Sequence, residues 1–181
     1  MPTRNSTDQT LPPAEKQLAA LIAKLDPKNQ QLVRAVRKML QKRFPTMNEL
    51  VYDYSKSLVI SYSPNERGAD GIVAIAADAN GLRFVFNHGV SLADPHKILL
   101  GNARQIRYIQ LEESSTLLRP EVEAMLAAVV SKAGIAQQKS GGGKMIIKSS
   151  KPRPKSGSAK PGLAAAKPVQ RKQAATKKGK R

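Results

Sequence analysis

The strongest chemical signal in this chain is a run of cations at its C-terminal end. Residues 136–181 carry 14 of the 31 Lys and Arg and none of the 13 Asp and Glu. Lys151, Arg153, Lys155, Lys160, Lys167, Arg171, Lys172, Lys177, Lys178, Lys180 and Arg181 are separated by Pro, Gly, Ser and Ala. A polycation of this kind gains free energy on DNA or RNA by releasing the counterions condensed on the phosphates. Neutralising about 5–8 phosphates predicts a log–log salt slope of about −4 to −7. Backbone contacts of this type supply affinity and no sequence information. The alternatives are a solubilising tail, or one aimed at acidic proteins or anionic lipid. A membrane partner is not expected, because no amphipathic apolar face accompanies the charge.

A second group of cations, Arg34, Arg37, Lys38 and Lys42, falls largely along one side of a helical segment, with Arg43 beside it. It predicts either a secondary basic patch or an ordinary solvated helix face. No helix-turn-helix spacing and no aromatic–basic motif of an RNA-recognition domain is evident, and the aromatics occupy core-like alternating positions. His88 and His96, near Asn87 and Asp94, match no metal-ligand spacing, so no metal and no cofactor are expected. Asp53, Glu112, Glu113, Glu121 and Glu123 are the residues that would hold a hard cation weakly. A ligand pocket, if there is one, is expected near Phe84, Asn87, His88 and Tyr108. No Ser stands in a Gly-x-Ser-x-Gly turn. Gly141-Gly142-Gly143-Lys144 lacks phosphate-loop spacing and reads as a hinge. The chain is therefore read as a binder and not as an enzyme.

The elements that must position these residues follow from periodicity. Residues 1–13 are polar and turn-prone, a frayed and disordered lead-in. Leu18, Leu21, Ile22 and Leu25 share one helical face. Asp26-Pro27 reads as a cap with proline at the first position of a second helix, whose stripe is Leu32, Val33, Val36, Met39, Leu40 and Phe44, stopped by Pro45. Strands are expected over Leu50–Tyr54, Leu58–Tyr62 and Gly71–Ala77, with a loop over 63–68. Asn80-Gly81 is a tight-turn pair. Beyond it Leu82, Phe84 and Phe86 alternate with Arg83 and Val85, and after a segment led by Pro95 the alternation resumes over 104–111. A last helix opens at Pro120 with Val122, Met125, Leu126, Val129 and Val130 inward, and stops at Gly134. The expectation is an α+β domain over residues 14–135, with an antiparallel sheet of four to five strands and helices packed on one face. Residues 136–181 form a disordered basic tail. In it Lys144–Lys148 is read as tail, with a short added edge strand as the alternative.

The pattern Leu32–Phe44 leading to Glu49-Leu50-Val51, the apolar strand at 72–77, the stretch RFVFNHGVSLADPHKILLGNARQIRYIQL and Arg119-Pro120-Glu121-Val122 resembles the YdhG-like family. This is a domain-of-unknown-function family related in fold to the bacterial frataxins. The likeness covers about residues 14–135 and includes no catalytic motif. The segment YDYSKS departs from the Gly-containing basic–aromatic strand commoner in that family. The resemblance implies the frataxin-related α+β fold and, through the relatives, a role in iron handling. Frataxin-like iron binding uses an acidic surface, whereas residues 1–135 carry 17 Lys and Arg against 13 acids. The tail is similar in composition to linker-histone tails and to the basic extensions of bacterial nucleoid proteins.

No cysteine is present, which excludes disulfides and thiolate chemistry. The N-terminus carries no apolar run of signal-peptide type, and no stretch is long enough to span a membrane. The expected protein is cytoplasmic, nucleoid-associated if bacterial. It binds DNA or RNA through its tail, and its folded domain supplies a second contact, a partner surface or a ligand site. Iron handling and small-molecule binding are the alternative functions.

Overall fold

The computed structural model describes residues 12–134 and 142–149. Helix α1 (Pro13–Ile22) begins with proline, whose missing N–H would be unpaired there in any case, and buries Leu18 and Ile22. Helix α2 (Pro27–Arg43) is capped by Asp26, whose carboxylate accepts from the Asn29 backbone N–H at 3.0 Å. That bond holds the Asp26 carboxyl below its ordinary pKa. Leu32, Val33, Val36 and Leu40 form the buried stripe of α2. Chain direction then turns at Pro45 into the strands.

These are β1 (Asn48–Tyr54), β2 (Ser57–Ser63), β3 (Val73–Asp78), β4 (Gly81–Phe86) and β5 (Arg107–Leu111), followed by helix α3 (Pro120–Lys132) and β6 (Met145–Ser149). The sheet order is β5-β4-β3-β2-β1-β6. The first five strands form an antiparallel meander, and the β3–β4 turn needs Gly81 at φ 104°. The α+β class and the one-sided helical layer expected from periodicity are borne out.

Two expectations are corrected. The sheet has six strands and not four to five, and it is mixed, because β6 runs parallel to β1 with Met145 opposite Glu49 and Ser149 opposite Asp53. The segment 145–149, expected to belong to the tail, is thus part of the sheet and extends it past residue 135. The reason lies in local contacts. Glu49 N–H donates to Lys144 O at 2.8 Å and Lys144 N–H donates to Asn48 Oδ1 at 2.9 Å. Gly143 passes so close to β1 that a Cβ there would lie 2.0 Å from the Met47 carbonyl oxygen. The glycine run read as a hinge contains a packing position. At the opposite edge β5 is shorter than expected, and Leu100 pairs with Tyr108 through two backbone bonds of 2.8 and 3.0 Å, which occupies that edge at Tyr108.

Register assigns the two faces. Val51, Leu58, Ile60, Tyr62, Val73, Ile75, Leu82, Phe84, Phe86 and Ile109 face the helices and join α1, α2 and α3 in a single hydrophobic core, with Met145 and Ile147 against its margin. Tyr52, Tyr54, Val59, Ser61, Ala74, Ala76, Arg83, Val85, Tyr108, Ile146 and Lys148 lie on the other face.

Candidate nucleic-acid interface

The expected phosphate-binding residues, Lys151 through Arg181, lie outside the described residues. The point from which they depart is described. Strand β6 ends at Ser149 opposite Asp53, one residue before Tyr54 on β1. The tail therefore leaves from a fixed place at the edge of the sheet, near the turn that carries exposed Lys56.

Of the four cations grouped on α2, three stand together and one does not. Arg34, Lys38 and Lys42 are exposed and spaced four residues apart, so they form one stripe on the outer side of the helix layer. Arg37 instead turns inward. Its Nε donates to Glu49 Oε1 at 3.0 Å and its Nη2 to Glu49 Oε2 at 2.7 Å. Its Nη1 and Nη2 also donate to Glu15 at 3.0 and 2.6 Å. Tyr62 Oη donates to Glu49 Oε1 at 2.7 Å, and Gln41 Nε2 reaches Glu49 Oε2 at 3.2 Å. Burial works against the Arg37 charge, but the bonds to Glu49 and then Glu15 outweigh it and hold its pKa above the ordinary value. Burial, reinforced by the Glu49 carboxylate, pushes the Tyr62 hydroxyl above its ordinary value. This cluster ties α1, α2, β1 and β2 together. Its hydrogen-bonding capacity is taken up internally, so it reads as structural.

The four residues expected at a pocket are not brought together. Phe84 is fully buried toward the helices and packs edge-on against Phe86. Tyr108 is on the opposite face, with the Arg83 guanidinium 5.5 Å from its ring centroid. Asn87 Nδ2 donates to Gly71 O at 2.5 Å. His88 lines a cleft of about 470 Å³ with Pro64, Ile72, Leu92, Val129 and Lys132. Asp94, which stood near both histidines in sequence, caps a turn by accepting from the Ile98 and Leu99 N–H groups at 2.9 Å each. Among the described residues no group of three or more His, Cys, Asp or Glu is placed to hold a metal ion. Of the five acids named for a hard cation, Asp53 lies 3.6 Å from the Lys24 ammonium and Glu123 is paired with Arg43 at 2.5 Å.

Sequence reasoning missed Tyr52 and Tyr54, and read the aromatics as core-like. Three of the four tyrosines are on the helix-free face and not in the core. Tyr52 and Tyr54 have parallel rings, 4° apart in plane with centroids at 5.9 Å, and Tyr54 is 44% exposed. The 64–71 loop folds over part of this face, with Gly68 against the Tyr52 hydroxyl and Gly71 against Ser61. Burial, with Tyr54 alongside, raises the Tyr52 hydroxyl above its ordinary pKa. The available signal was the i, i+2 spacing of Tyr52 and Tyr54, which puts both on one face.

No family model, curated protein or solved structure matches this chain. Among the described residues, no helix is long and apolar enough to cross a membrane.

Proposed function

We propose that this chain is a non-enzymatic nucleic-acid-associated protein whose C-terminal segment binds the phosphate backbone without sequence preference. One observation carries the reading. Eleven cations and no acid follow Ser149, and β6 fixes the start of that segment to the sheet. A polycationic segment joined to a folded body keeps that body beside the nucleic acid it binds. The α2 stripe of Arg34, Lys38 and Lys42 is a second, weaker electrostatic contact.

The test is a titration of DNA and RNA with the full chain and with a chain ended after Ser149, at 50 and 200 mM salt. The cut belongs at 149, because ending at 135 would also remove β6. The full chain is expected to lose affinity with a log–log slope of about −4 to −7, and the shortened chain to lose most of its binding. Failure of the full chain to bind at low salt refutes the proposal.

The His88 cleft favours a second reading, a small-ligand site in the domain. That reading predicts a ligand-induced rise in melting temperature that His88→Ala abolishes.

A further inference from the structure

The cleft of about 470 Å³ opens where the 64–71 loop, the segment 88–92 after β4 and the last turn of α3 meet. Its volume is in the range that takes small organic ligands. We infer that it holds a small amphiphilic monocarboxylate, with the anionic head against Lys132 and His88 and the apolar body on Ile72, Leu92 and Val129. The inference rests on the second reading above, that the cleft is a ligand site, and names the class of ligand.

Burial sorts the lining into two ends. Ile72 and Val129 are each 4% exposed and, with half-buried Leu92, form an apolar floor. Lys132 and His88 are exposed at the rim. A ligand that is apolar along its body and polar at one end matches this order.

The balance of charge decides the sign of the head. Asp70 also lines the cleft, but its carboxylate is answered within its own loop. It accepts from Asn65 Nδ2 at 2.9 Å and lies 3.6 Å from Arg67 Nε. Lys132 has no acid partner among the described residues. Its Nζ donates to Ser91 O at 2.6 Å and to Ser91 Oγ at 3.1 Å. Both acceptors are neutral, so the charge stays uncompensated while the bonds hold the ammonium in place. One of its three N–H donors is left for a ligand. The His88 imidazole makes no hydrogen bond among the described residues, and its backbone carbonyl accepts from Ser91 Oγ at 2.9 Å. His88, Ser91 and Lys132 therefore form one connected polar group.

The head carries a single charge. One lysine and, among the described residues, no arginine lines the cleft, so the fork that grips a phosphate is missing. The helix end that meets the cleft is the C-terminus of α3, whose carbonyls oppose a phosphate dianion.

The experiment uses the full chain with octanoate, octanol and octylamine as probes, read by thermal unfolding and titration calorimetry at pH 7. Octanoate is expected to raise the melting temperature saturably, octanol less, and octylamine not at all. Lys132→Met keeps the aliphatic stem and removes the charge. It should weaken octanoate about tenfold and leave octanol unchanged. Because Lys132 also ties α3 to Ser91, each variant is compared with its own ligand-free form. Lys132→Arg, which keeps the charge, should still prefer octanoate to octanol.

Octanoate and octanol binding alike, and both lost in His88→Ala, overturns the carboxylate head and leaves the cleft a ligand site. Octanoate binding that neither Lys132→Met nor His88→Ala weakens lies elsewhere on this cationic chain and overturns the inference. Absence of binding by all three probes refutes the small-ligand reading as well.

Discussion

Replacing Arg37 by alanine separates a structural cation from its surface neighbours. Its side chain is 15% exposed and bridges Glu49, 7% exposed, and Glu15, 32% exposed. Removing the guanidinium leaves the Glu49 carboxylate buried with only Tyr62 and Gln41 as side-chain donors. Breaking a buried pair from one side costs about 3–5 kcal/mol. The Glu15 arm is nearly a third exposed and solvent-screened, and adds under about 1 kcal/mol. A loss of about 4 kcal/mol in a domain of this size lowers the melting temperature by about 15 °C. Lys38→Ala, one position on and exposed, should change stability by less than about 0.5 kcal/mol. The assay is thermal and urea unfolding by circular dichroism of the three full-length chains. Adding Glu49→Gln to Arg37→Ala should cost less than the sum of the two single changes, because the amide removes the stranded charge. If Arg37→Ala and Lys38→Ala unfold within about 2 °C of each other, the network is not stabilising and the argument fails.

Other expectations are equally direct. Gly143→Ala puts a methyl group against the Met47 carbonyl, so β6 should undock; proteolysis should then cut within 142–149 faster than in the parent. Tyr62→Phe loses a bond to a buried carboxylate, about 1–2 kcal/mol at pH 7 by urea midpoint. The raised native pKa of Tyr62 means its contribution is full below the unfolded value of 10.0 and is lost as pH rises above it. The parent–variant gap should therefore narrow above pH 10, by up to about 1.4 kcal/mol per pH unit. A gap that widens there contradicts the assignment. Arg34→Gln, Lys38→Gln and Lys42→Gln together should lower DNA affinity modestly and make the salt slope shallower by up to about 3, without changing the melting temperature.

Much of the fold was readable because its signals are local. Asp26-Pro27 starts a helix by cap chemistry, and the alternation of Leu82, Phe84 and Phe86 fixes both a strand and the face it buries. Strand β6 was less legible. Met145-Ile146-Ile147 is too short to display a period, and its partner strand lies 96 residues earlier. The contact that requires Gly143 is made across that same distance. Arg37 carries the same charge as Arg34 and Lys38, but it stands four residues after Val33 and three before Leu40, on the margin of the buried stripe; that spacing was the missed clue. For Tyr52 and Tyr54, alternation showed that they share a face. It could not say which face the helices cover, because β1 is apolar on both sides at Leu50 and Val51.

The long span between β1 and β6 has a kinetic consequence. The β1–β5 meander and its helices are complete in sequence by residue 132, and most of its strand pairs are close neighbours along the chain. Closing the 96-residue gap to β6 costs about 4 kcal/mol of chain entropy. During synthesis the first five strands can pair while the sixth is still to be made. Through that interval the outer edge of β1 stands open, a template for strand addition by any neighbouring chain. The Met-Ile-Ile segment between two lysines is therefore the fold's late closure, and a nascent chain interrupted before it would be the form most prone to aggregate.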